Sequence, residues 1–358
     1  MARDPVADLR RIAFLLERAH EASYRVRAFR GAAATLGALP ESELATRSAA
    51  GTLTELPGVG AVTARCVAES LADEEPVYLR RLLDTAGQDL DEATAALRAA
   101  LRGDCHSHSD WSDGGSPIEE MALAAIDLGH EYLVLTDHSP RLTVARGLSA
   151  DRLREQLDVV AAINERLSGL AADGALARPF RLLTGIEVDI LADGSLDQSD
   201  ELLGGLDVVV GSLHSGLRDD AAVITRRMVA ALGNPHLDIL GHCTGRLITG
   251  GRGKRPESAF DPDAVFAAAA RHDKAVEINS RPERLDPPKR LLRLALEAGC
   301  LFSIDSDAHA PGQLDWLPNG CARAVACAVP PERIVNTWPM GRLLDWARSH
   351  GEPGGLTR

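Results

Sequence analysis

Lysine is nearly absent from this chain of 358 residues, and so are the features that mark secreted or membrane proteins. The only lysines are Lys254, Lys274 and Lys289, so arginine carries almost all of the positive charge. No cysteines have CxxC spacing, and the six cysteines stand mostly within apolar runs, which favours reduced thiols over a disulfide framework. No apolar run reaches the roughly 18 residues of a membrane span, and charges interrupt the N-terminal segment, so no signal peptide is expected.

These absences predict a soluble protein of the cytoplasm. The formal net charge of −13 disfavours a protein that coats nucleic acid by bulk electrostatics, because such binding needs basic side chains to neutralise phosphates. It leaves room for a local basic patch. The length exceeds one typical domain and the hydrophobic fraction is 45%, so we expect one large and one small domain.

The pattern of apolar residues changes near residue 100. Up to residue 98, segments such as DLRRIAFLLERA and EATAALRAAL repeat apolar residues at helical spacing, which predicts a small all-α domain over 1–98. From Leu101, short apolar strands alternate with helices, and we assign 99–345 to this second domain and 346–358 to a tail that ends in GEPGGLTR, for which we expect disorder. The predicted strands are LRGDCHS, YLVLTDH, RLLTGIEVDI, LDVVVGSLH, LDILGH, KAVEINS and LFSIDSDAH.

This alternation predicts an α/β fold with a parallel sheet, and so many repeats favour closure into a barrel. An open doubly wound sheet is the alternative. That fold would be expected to carry a glycine-rich phosphate loop after its first strand, and no such loop is visible.

Histidines and carboxylates cluster at the ends of the predicted strands, beginning with GDCHSHSDWSDGG at residues 103–115. Six of the 11 histidines fall on strand ends. In barrels the carboxyl ends of the strands form the active-site face, and residues two apart on a strand point the same way. A hydrogen-bonded strand-end histidine would explain any one of them, but not the whole set. The candidate metal ligands are His106, His108, Asp113, His138, Glu187, His214, His242, Asp307 and His309.

Nine nitrogen and oxygen ligands exceed what one ion needs, so we predict two or three clustered divalent cations. Imidazole together with carboxylate suits Zn, Mn or Fe better than Ca or Mg. Glu187 is the expected bridge, since a carboxylate can give one oxygen to each neighbouring ion.

The segments DCHSHSDWSDG, TDHS, GIEVDI, GSLHS, LGHCTGR and DSDAHA resemble the motifs of the PHP (polymerase and histidinol phosphatase) superfamily. The resemblance covers residues 101–335 and is strongest to the PHP domain of bacterial family X DNA polymerases. It implies a distorted seven-stranded (β/α) barrel, TIM-like in form. It also implies that the nine candidate positions form a trinuclear metal site at which a metal-activated water hydrolyses phosphoesters. In polymerase-linked members the resemblance implies a 3′–5′ exonuclease or a related repair activity.

TELPGVGAVTARCVAESL, at residues 54–71, resembles the helix–hairpin–helix of the same polymerases. Gly58 and Gly60 permit a tight turn whose amides, at a helix start, can hold a DNA phosphate without reading bases. A glycine-rich turn between two core helices is the alternative.

Two departures from these polymerases limit the resemblance. The helical domain runs directly into the first barrel strand, so no polymerase domain fits between them and polymerisation is excluded. Lyase chemistry in the family's small domain uses lysines as nucleophiles, whereas Val62 and Cys66 follow the hairpin here and residues 1–253 contain no lysine. We therefore expect this domain only to dock DNA.

Arginines should complete the phosphate site, because the guanidinium fork fits phosphate oxygens. The candidates are Arg246, Arg281 and Arg284, although Arg284 could instead pair with Asp286. Glu277 and Asn279, two apart on a strand, are expected to orient the pocket. The segment with Arg252, Lys254 and Arg255 is either a loop that follows a DNA backbone or a plain solvated loop. Catalytic roles beyond metal binding are expected for Glu187, His214, Asp307 and His309.

The function that these patterns favour is a metal-dependent phosphoesterase acting on DNA, at a single strand or a 3′ end, as an exonuclease or a 3′-phosphatase in DNA repair. A phosphatase or phosphodiesterase for small phosphorylated substrates, of the histidinol-phosphatase kind, is one alternative. A non-catalytic DNA-binding protein with a structural metal site is another. Neither a membrane partner nor a particular oligomeric state is predicted.

Overall fold

A computed structural model describes residues 3–87, 89–249 and 253–351 and divides the chain into two compact units, Met1–Asp89 and Leu90–Arg358. The division lies at Asp89 rather than at the predicted residue 98. The reason is that the helix Glu92–Ala100 buries Leu97 in the core of the second unit, where this side chain is 5% exposed. No helix among the described residues is long and apolar enough to cross a membrane.

The first unit is all helical. Its helices are α1 (Pro5–Arg18), α2 (Ser23–Gly37), α3 (Glu41–Ala50), α4 (Ala61–Leu71) and α5 (Val77–Thr85). α1 begins where the Asp4 carboxylate accepts hydrogen bonds from the amides of Val6 and Ala7, with Pro5 in the first turn. Its apolar stripe, which includes Leu9, is fully buried and accounts for the helical spacing in the sequence.

The second unit alternates helices and strands. Its helices are α6 (Glu92–Ala100), α7 (Ile118–Asp127), α8 (Ala150–Ala172), α9 (Asp200–Leu203), α10 (Ala221–Leu232), α11 (Pro262–Arg271), α12 (Lys289–Glu297), α13 (Leu317–Ala326) and α14 (Met340–Ser349). Its strands are β1 (Gly103–Ser107), β2 (Tyr132–Leu135), β3 (Arg181–Asp189), β4 (Val208–Ser212), β5 (Ile239–Leu240), β6 (Ala275–Asn279) and β7 (Leu301–Asp305). Only residues 101 and 102 separate α6 from β1, so no polymerase domain lies between them.

The seven strands form one parallel sheet in chain order, and each lies within a segment predicted from the sequence. The sheet curls until β1 faces β7, which gives the nearly closed seven-stranded barrel that was predicted. The alternative prediction, an open doubly wound sheet, is wrong. The helices cover the outside, and apolar side chains such as Ile186 and Phe302 fill the core.

Side chains complete the seam between β1 and β7. The Cys105 amide donates to Asp305 Oδ1 at 2.8 Å, and the Ser306 amide donates to Asp104 at 3.3 Å. The buried Asn336 amide donates to the carbonyl of Gly103 at 3.1 Å and to that of Ile304 at 2.6 Å. These bonds take the place of a continuous strand ladder. They hold β1 and β7, the first and last strands, at the same level, which brings their carboxyl ends together.

The predicted tail begins too early. α14 runs to Ser349 and buries Trp346, because this indole packs against the bottom of the barrel beside Trp338. Residues 352–358 lie outside the described part of the chain. All six cysteines are buried free thiols, as their apolar surroundings indicated.

Candidate metal centre

The strand ends converge at one rim of the barrel. His106 stands on β1 and Glu187 on β3, while the other histidines of the set and Asp307 lie in the loops just after strand ends. Asp113 stands in the loop between β1 and α7. The side chains of His106, His108, Glu187, His242 and Asp307 are at most 2% exposed, so the centre is built into the protein interior.

Glu187 lies in the middle of this cluster. Its Oε2 atom lies 2.8 Å from His138 Nδ1, 3.4 Å from His106 Nε2 and 3.6 Å from His108 Nε2. β3 places it there because its neighbour Val188 points into the apolar layer while Glu187 points to the rim.

The other oxygen of Glu187 faces a second set of imidazoles. Oε1 lies 2.9 Å from His242 Nε2 and 3.4 Å from His214 Nε2. One carboxylate therefore stands between two groups of nitrogen ligands, which is the arrangement expected of a residue that bridges two cations.

Asp113 and Asp307 enlarge the cluster on the His108 side. Asp307 Oδ1 lies 3.4 Å from His108 Nε2, and Asp113 Oδ1 lies 3.3 Å from His309 Nε2 and 3.5 Å from His138 Nε2. Three overlapping groups have ligand atoms within 4.8 Å of one another: His108, Asp113, His138 and His309; His106, His108 and Asp307; and His138, Glu187 and His214. The structure thus brings all nine predicted residues together, with His242 joined through Glu187.

The donor atoms fit a metal cluster. Buried atoms without a hydrogen-bond partner include His106 Nε2, both ring nitrogens of His108, Asp113 Oδ1 and both oxygens of Glu187. Such atoms are costly to bury unless something binds them. Divalent transition cations would satisfy the carboxylate oxygens and one nitrogen of each imidazole, since these atoms are their preferred ligands.

The two central carboxylates are held in the charged form. Burial alone would raise the pKa of Glu187, but the imidazoles around it, His138 and His106 foremost, hold it well below its usual value. Burial would likewise raise the pKa of Asp307, but His108 and Arg284 hold it well below its usual value. Both side chains are therefore anionic and ready to bind a cation.

The imidazoles divide into two kinds. Burial and its imidazole neighbours lower the pKa of His108 to about 3, so this ring is neutral. Burial disfavours the charged form of His106 and His214 as well. Even so, Glu277 and Glu187 raise the pKa of His106 well above its usual value, and Glu187 and Asp189 raise that of His214 to about 9. Because metal binding requires neutral imidazole, loading the centre would release protons.

Carboxylates outside the cluster fix the orientation of its histidines. Glu277 Oε1 lies 2.7 Å from His106 Nδ1, which turns His106 Nε2 towards Glu187. The other Glu277 oxygen accepts a hydrogen bond from the His242 amide and one from Asn279 Nδ2 at 3.3 Å. Glu277 and Asn279 thus face the cluster from the same side of β6, as their spacing indicated.

Two orienting residues were missed. Asp189 contacts His214 Nδ1, and its position two residues after Glu187 on β3 was the available signal. Asp137 is fully buried and accepts hydrogen bonds from the Ser109 amide at 2.8 Å, the Ser109 hydroxyl at 2.6 Å and Gln156 Nε2 at 2.7 Å. It thereby holds the start of the loop that carries Asp113.

Two of the three predicted phosphate-binding arginines lie at the centre. Arg284 Nε is 3.1 Å from Asp307 Oδ2, and Arg281 Nη1 donates to the Asp307 carbonyl at 3.2 Å and lies 3.1 Å from His309 Nδ1. The alternative pairing of Arg284 with Asp286 is not formed, because Asp286 instead accepts hydrogen bonds from Thr244.

Arg246 is engaged elsewhere. Its guanidinium donates to the carbonyls of Arg284 (3.0 Å) and Leu285 and to Glu257 (3.3 Å), so it supports the loop that carries Arg284. It is not among the residues that line the cavity at the centre. The prediction of a direct phosphate contact is therefore corrected to a supporting role.

A cavity of about 580 Å³ opens over the centre. His138, Glu187, His214, Asp307 and His309 form its floor, together with Asp113. Arg281 and Arg284 line it, and so do Lys254 and Arg255 of the predicted basic loop, whereas Arg252 lies outside the described residues.

The predicted hairpin is present in the helical unit. Gly58 has φ +78°, a conformation that favours glycine, and Gly60 precedes α4. The Gly60 amide donates to the Thr63 hydroxyl at 3.0 Å, so this amide caps the helix instead of pointing to a ligand. Any phosphate contact would fall to the next amides of α4, where Ala61 and Val62 are exposed.

The fold and the site together define a barrel whose rim gathers six histidines and three carboxylates around a cavity. Comparison with known families agrees with this description. Residues 104–281 match the PHP domain and residues 3–76 match a helix-hairpin-helix domain. The chain therefore contains a PHP domain, preceded by a helix-hairpin-helix domain, as its motifs indicated.

Among its relatives, the DNA polymerase/3′-5′ exonuclease PolX of Bacillus subtilis is 40% identical over 255 residues, which are 70% of this chain and 42% of that protein. The probable phosphatase YcdX of Escherichia coli K12 is 27% identical over 258 residues, which are 69% of this chain and 94% of that protein. A crystal structure of histidinol phosphate phosphatase from Lactococcus lactis matches with a TM-score of 0.45 and 18% identity. The match covers 63% of this chain and 92% of the phosphatase chain. That last likeness is too distant to bear on function.

Proposed function

We propose that this protein is a metal-dependent hydrolase of phosphoesters that acts on DNA ends, as a 3′–5′ exonuclease or a 3′-phosphatase. The observation that carries the proposal is the arrangement around Glu187. There, buried nitrogen and oxygen atoms without hydrogen-bond partners lie beneath an open cavity lined by arginines. A purely structural metal site would have no use for such an opening.

Two or three divalent cations held by the nine residues would supply water with a pKa lowered from about 16 to near 7 and would neutralise the phosphate oxygens. Glu187 would hold neighbouring cations together. Arg281 and Arg284 would bind the nonbridging oxygens, since both guanidinium groups reach the cavity beside Asp307.

The residues assigned to proton transfer border the cavity. His214 and His309 are 13% and 16% exposed, whereas His106 and His108 are fully buried. Asp189 fixes His214 through Nδ1, which leaves Nε2 towards Glu187 and the cavity. We assign the protons of the attacking water and of the leaving oxygen to His214, His309 and Asp307.

DNA is the preferred substrate because the chain also contains a helix-hairpin-helix domain, and because a relative at 40% identity is named an exonuclease. The chain spans less than half of that relative, so its activity is carried over only as part of this proposal. A small-molecule phosphatase is the second candidate. It is favoured by the probable phosphatases, which match over 94% of their own length.

Parallel assays of 3′-labelled single-stranded DNA and of histidinol phosphate, both with Mn²⁺, would test the proposal. We expect mononucleotide release from the DNA and loss of that activity in the double variant His106→Gln, His108→Gln. His272→Gln, a barrel histidine outside the centre, is the matched control. Hydrolysis of histidinol phosphate alone would favour the second candidate. Undiminished DNA binding by the double variant, without hydrolysis of either substrate by the intact protein, would leave the non-catalytic alternative.

A further inference from the structure

The cavity over the metal centre extends beyond the space that one phosphate group fills. Its volume of about 580 Å³ lies within the range of pockets that hold whole ligands, roughly 300–1,000 Å³. Arg281 and Arg284 stand at its inner end, where both contact Asp307. Three more cations, Arg218, Lys254 and Arg255, also line it.

A second cavity continues the first. It has a volume of about 340 Å³ and shares His214, Leu217, Arg218 and Arg255 with the first cavity. The two cavities therefore form one groove that leads away from the centre past His214. Arg218 and Arg255 stand where the cavities meet, because each lines both of them.

These outer cations differ from the inner pair. Arg281 and Arg284 are held by a carboxylate, and Arg255 Nε donates to the Gly245 carbonyl at 2.5 Å. Arg218 and Lys254 are exposed, and no hydrogen bond or ion pair of their side chains is found within the described ranges. Cationic side chains that line a groove without a protein partner are suited to bind an anion from outside.

The groove also has an apolar portion. Leu142 and Val144, on the loop after β2, line the first cavity, and Val144 is 90% exposed. An exposed valine at a cavity rim offers little to a bare phosphate ester. It suits the sugar or base of a nucleotide, which brings apolar surface along with its phosphate.

We propose that Arg218 and Lys254 bind the phosphate that neighbours the reacting one, so that the site selects a nucleic-acid strand with at least two consecutive phosphodiesters. This inference rests on the proposed function in its exonuclease form and specifies the substrate. A phosphomonoester or a single diester would leave these two side chains without a ligand.

The dinucleoside monophosphate TpT and the trinucleotide TpTpT separate the possibilities, since whichever bond reacts, only TpTpT has a neighbouring phosphate. A charged hydrogen bond contributes enough to change binding about tenfold or more, so kcat/KM for TpTpT should exceed that for TpT by at least about tenfold. The second bond of TpTpT alone would give a ratio of at most about two, and of one if only the 3′-terminal bond reacts.

The double variant Arg218→Gln, Lys254→Gln should bring that ratio down to about two or less, mainly through KM, and should weaken the salt dependence of KM for longer oligonucleotides. Because both side chains are exposed, its thermal unfolding midpoint should match that of the parent protein. Arg226→Gln, an exposed arginine that lines neither of these cavities, is the matched control and should keep the full ratio.

A ratio of about two or less in the parent protein, or an unchanged ratio in the double variant, would overturn the inference. Hydrolysis of p-nitrophenyl phosphate without cleavage of either diester would also overturn it while leaving a phosphoesterase. Failure to hydrolyse any of the three compounds would instead remove the proposed function itself.

Discussion

The helical unit and the barrel each bury a glutamate, but the two side chains have opposite surroundings. Glu17, 5% exposed, accepts hydrogen bonds from Arg30 Nε at 2.9 Å and Nη2 at 2.8 Å. Glu187, 1% exposed, has no hydrogen-bond donor at either oxygen and faces imidazole nitrogens instead.

The difference separates a structural charge from a functional one. A buried carboxylate with a complete set of donors has its charge compensated within the fold, and removing its partner leaves an uncompensated charge. A buried carboxylate without donors costs free energy in the protein alone and persists where another ligand completes it. Burial by itself therefore does not identify a site, whereas burial together with unsatisfied ligand atoms does.

The largest effect is expected at Glu187. Glu187→Gln keeps the shape of the side chain but removes the charge and one of the two acceptor oxygens. Because cations at such a centre contribute several kcal/mol to the transition state, phosphoesterase activity should fall at least about a thousandfold. Metal content, measured by elemental analysis after dialysis, should fall with it. A variant that keeps its full metal content and activity would remove the distinction drawn between the two glutamates.

Asp137 should have a smaller effect of the same kind. Asp137→Asn cannot accept all the hydrogen bonds that hold the loop before Asp113, so that ligand should lose its fixed position. Changes to such supporting residues typically cost about 10- to 100-fold in metal affinity or activity. We expect raised metal concentrations to recover part of the rate. Full activity at low metal concentration would show that the loop needs no such support.

A change at Glu17 should lower stability and leave the activity unchanged. Glu17→Gln leaves Arg30 with a weaker partner in a part-buried position, so the free energy of unfolding of the helical unit should fall by about 1–3 kcal/mol. Hydrolysis of p-nitrophenyl phosphate, which needs only the barrel, should stay at the parental rate. Chemical denaturation followed by circular dichroism gives the first quantity. A parental unfolding curve would contradict the structural role.

The smallest effect concerns a barrel histidine away from the centre. Burial and then Arg98 lower the pKa of His130 to about 3, below the unfolded value of about 6.5. The ring is neutral in the fold, so the unfolded chain binds more protons and stability falls as the pH drops below 6.5. At pH 5.5 this loss amounts to about 1 kcal/mol relative to pH 7.5. His130→Gln should lack it, and identical pH profiles of unfolding would refute the assignment.

The fold was predictable because two periodicities are strong in this sequence. Apolar runs such as YLVL and LDVVV are followed within a few residues by a histidine or a carboxylate. This pattern located the strands and identified the nine candidate residues. Their role as metal ligands stays a prediction. The boundary at Asp89 was not predictable, since α6 has an ordinary amphipathic pattern and only its packing on α13 assigns it to the barrel.

The supporting residues were harder to predict for a related reason. Asp137 and Asp189 have no special spacing beyond their closeness to His138 and Glu187, and their partners come from distant segments such as α8. Arg246 has the right residue type in the right motif, yet its guanidinium is taken up by backbone carbonyls across the loop. Such contacts depend on which distant segments the fold brings together, and local sequence patterns contain no information about this.

Anomalous X-ray diffraction from crystals loaded with Mn²⁺ or Zn²⁺ would examine the role of Glu187 most directly. We expect cation peaks on both sides of this carboxylate, one towards His106, His108 and His138 and one towards His214 and His242. Peaks confined to other parts of the molecule, or a single cation bound without Glu187, would contradict it.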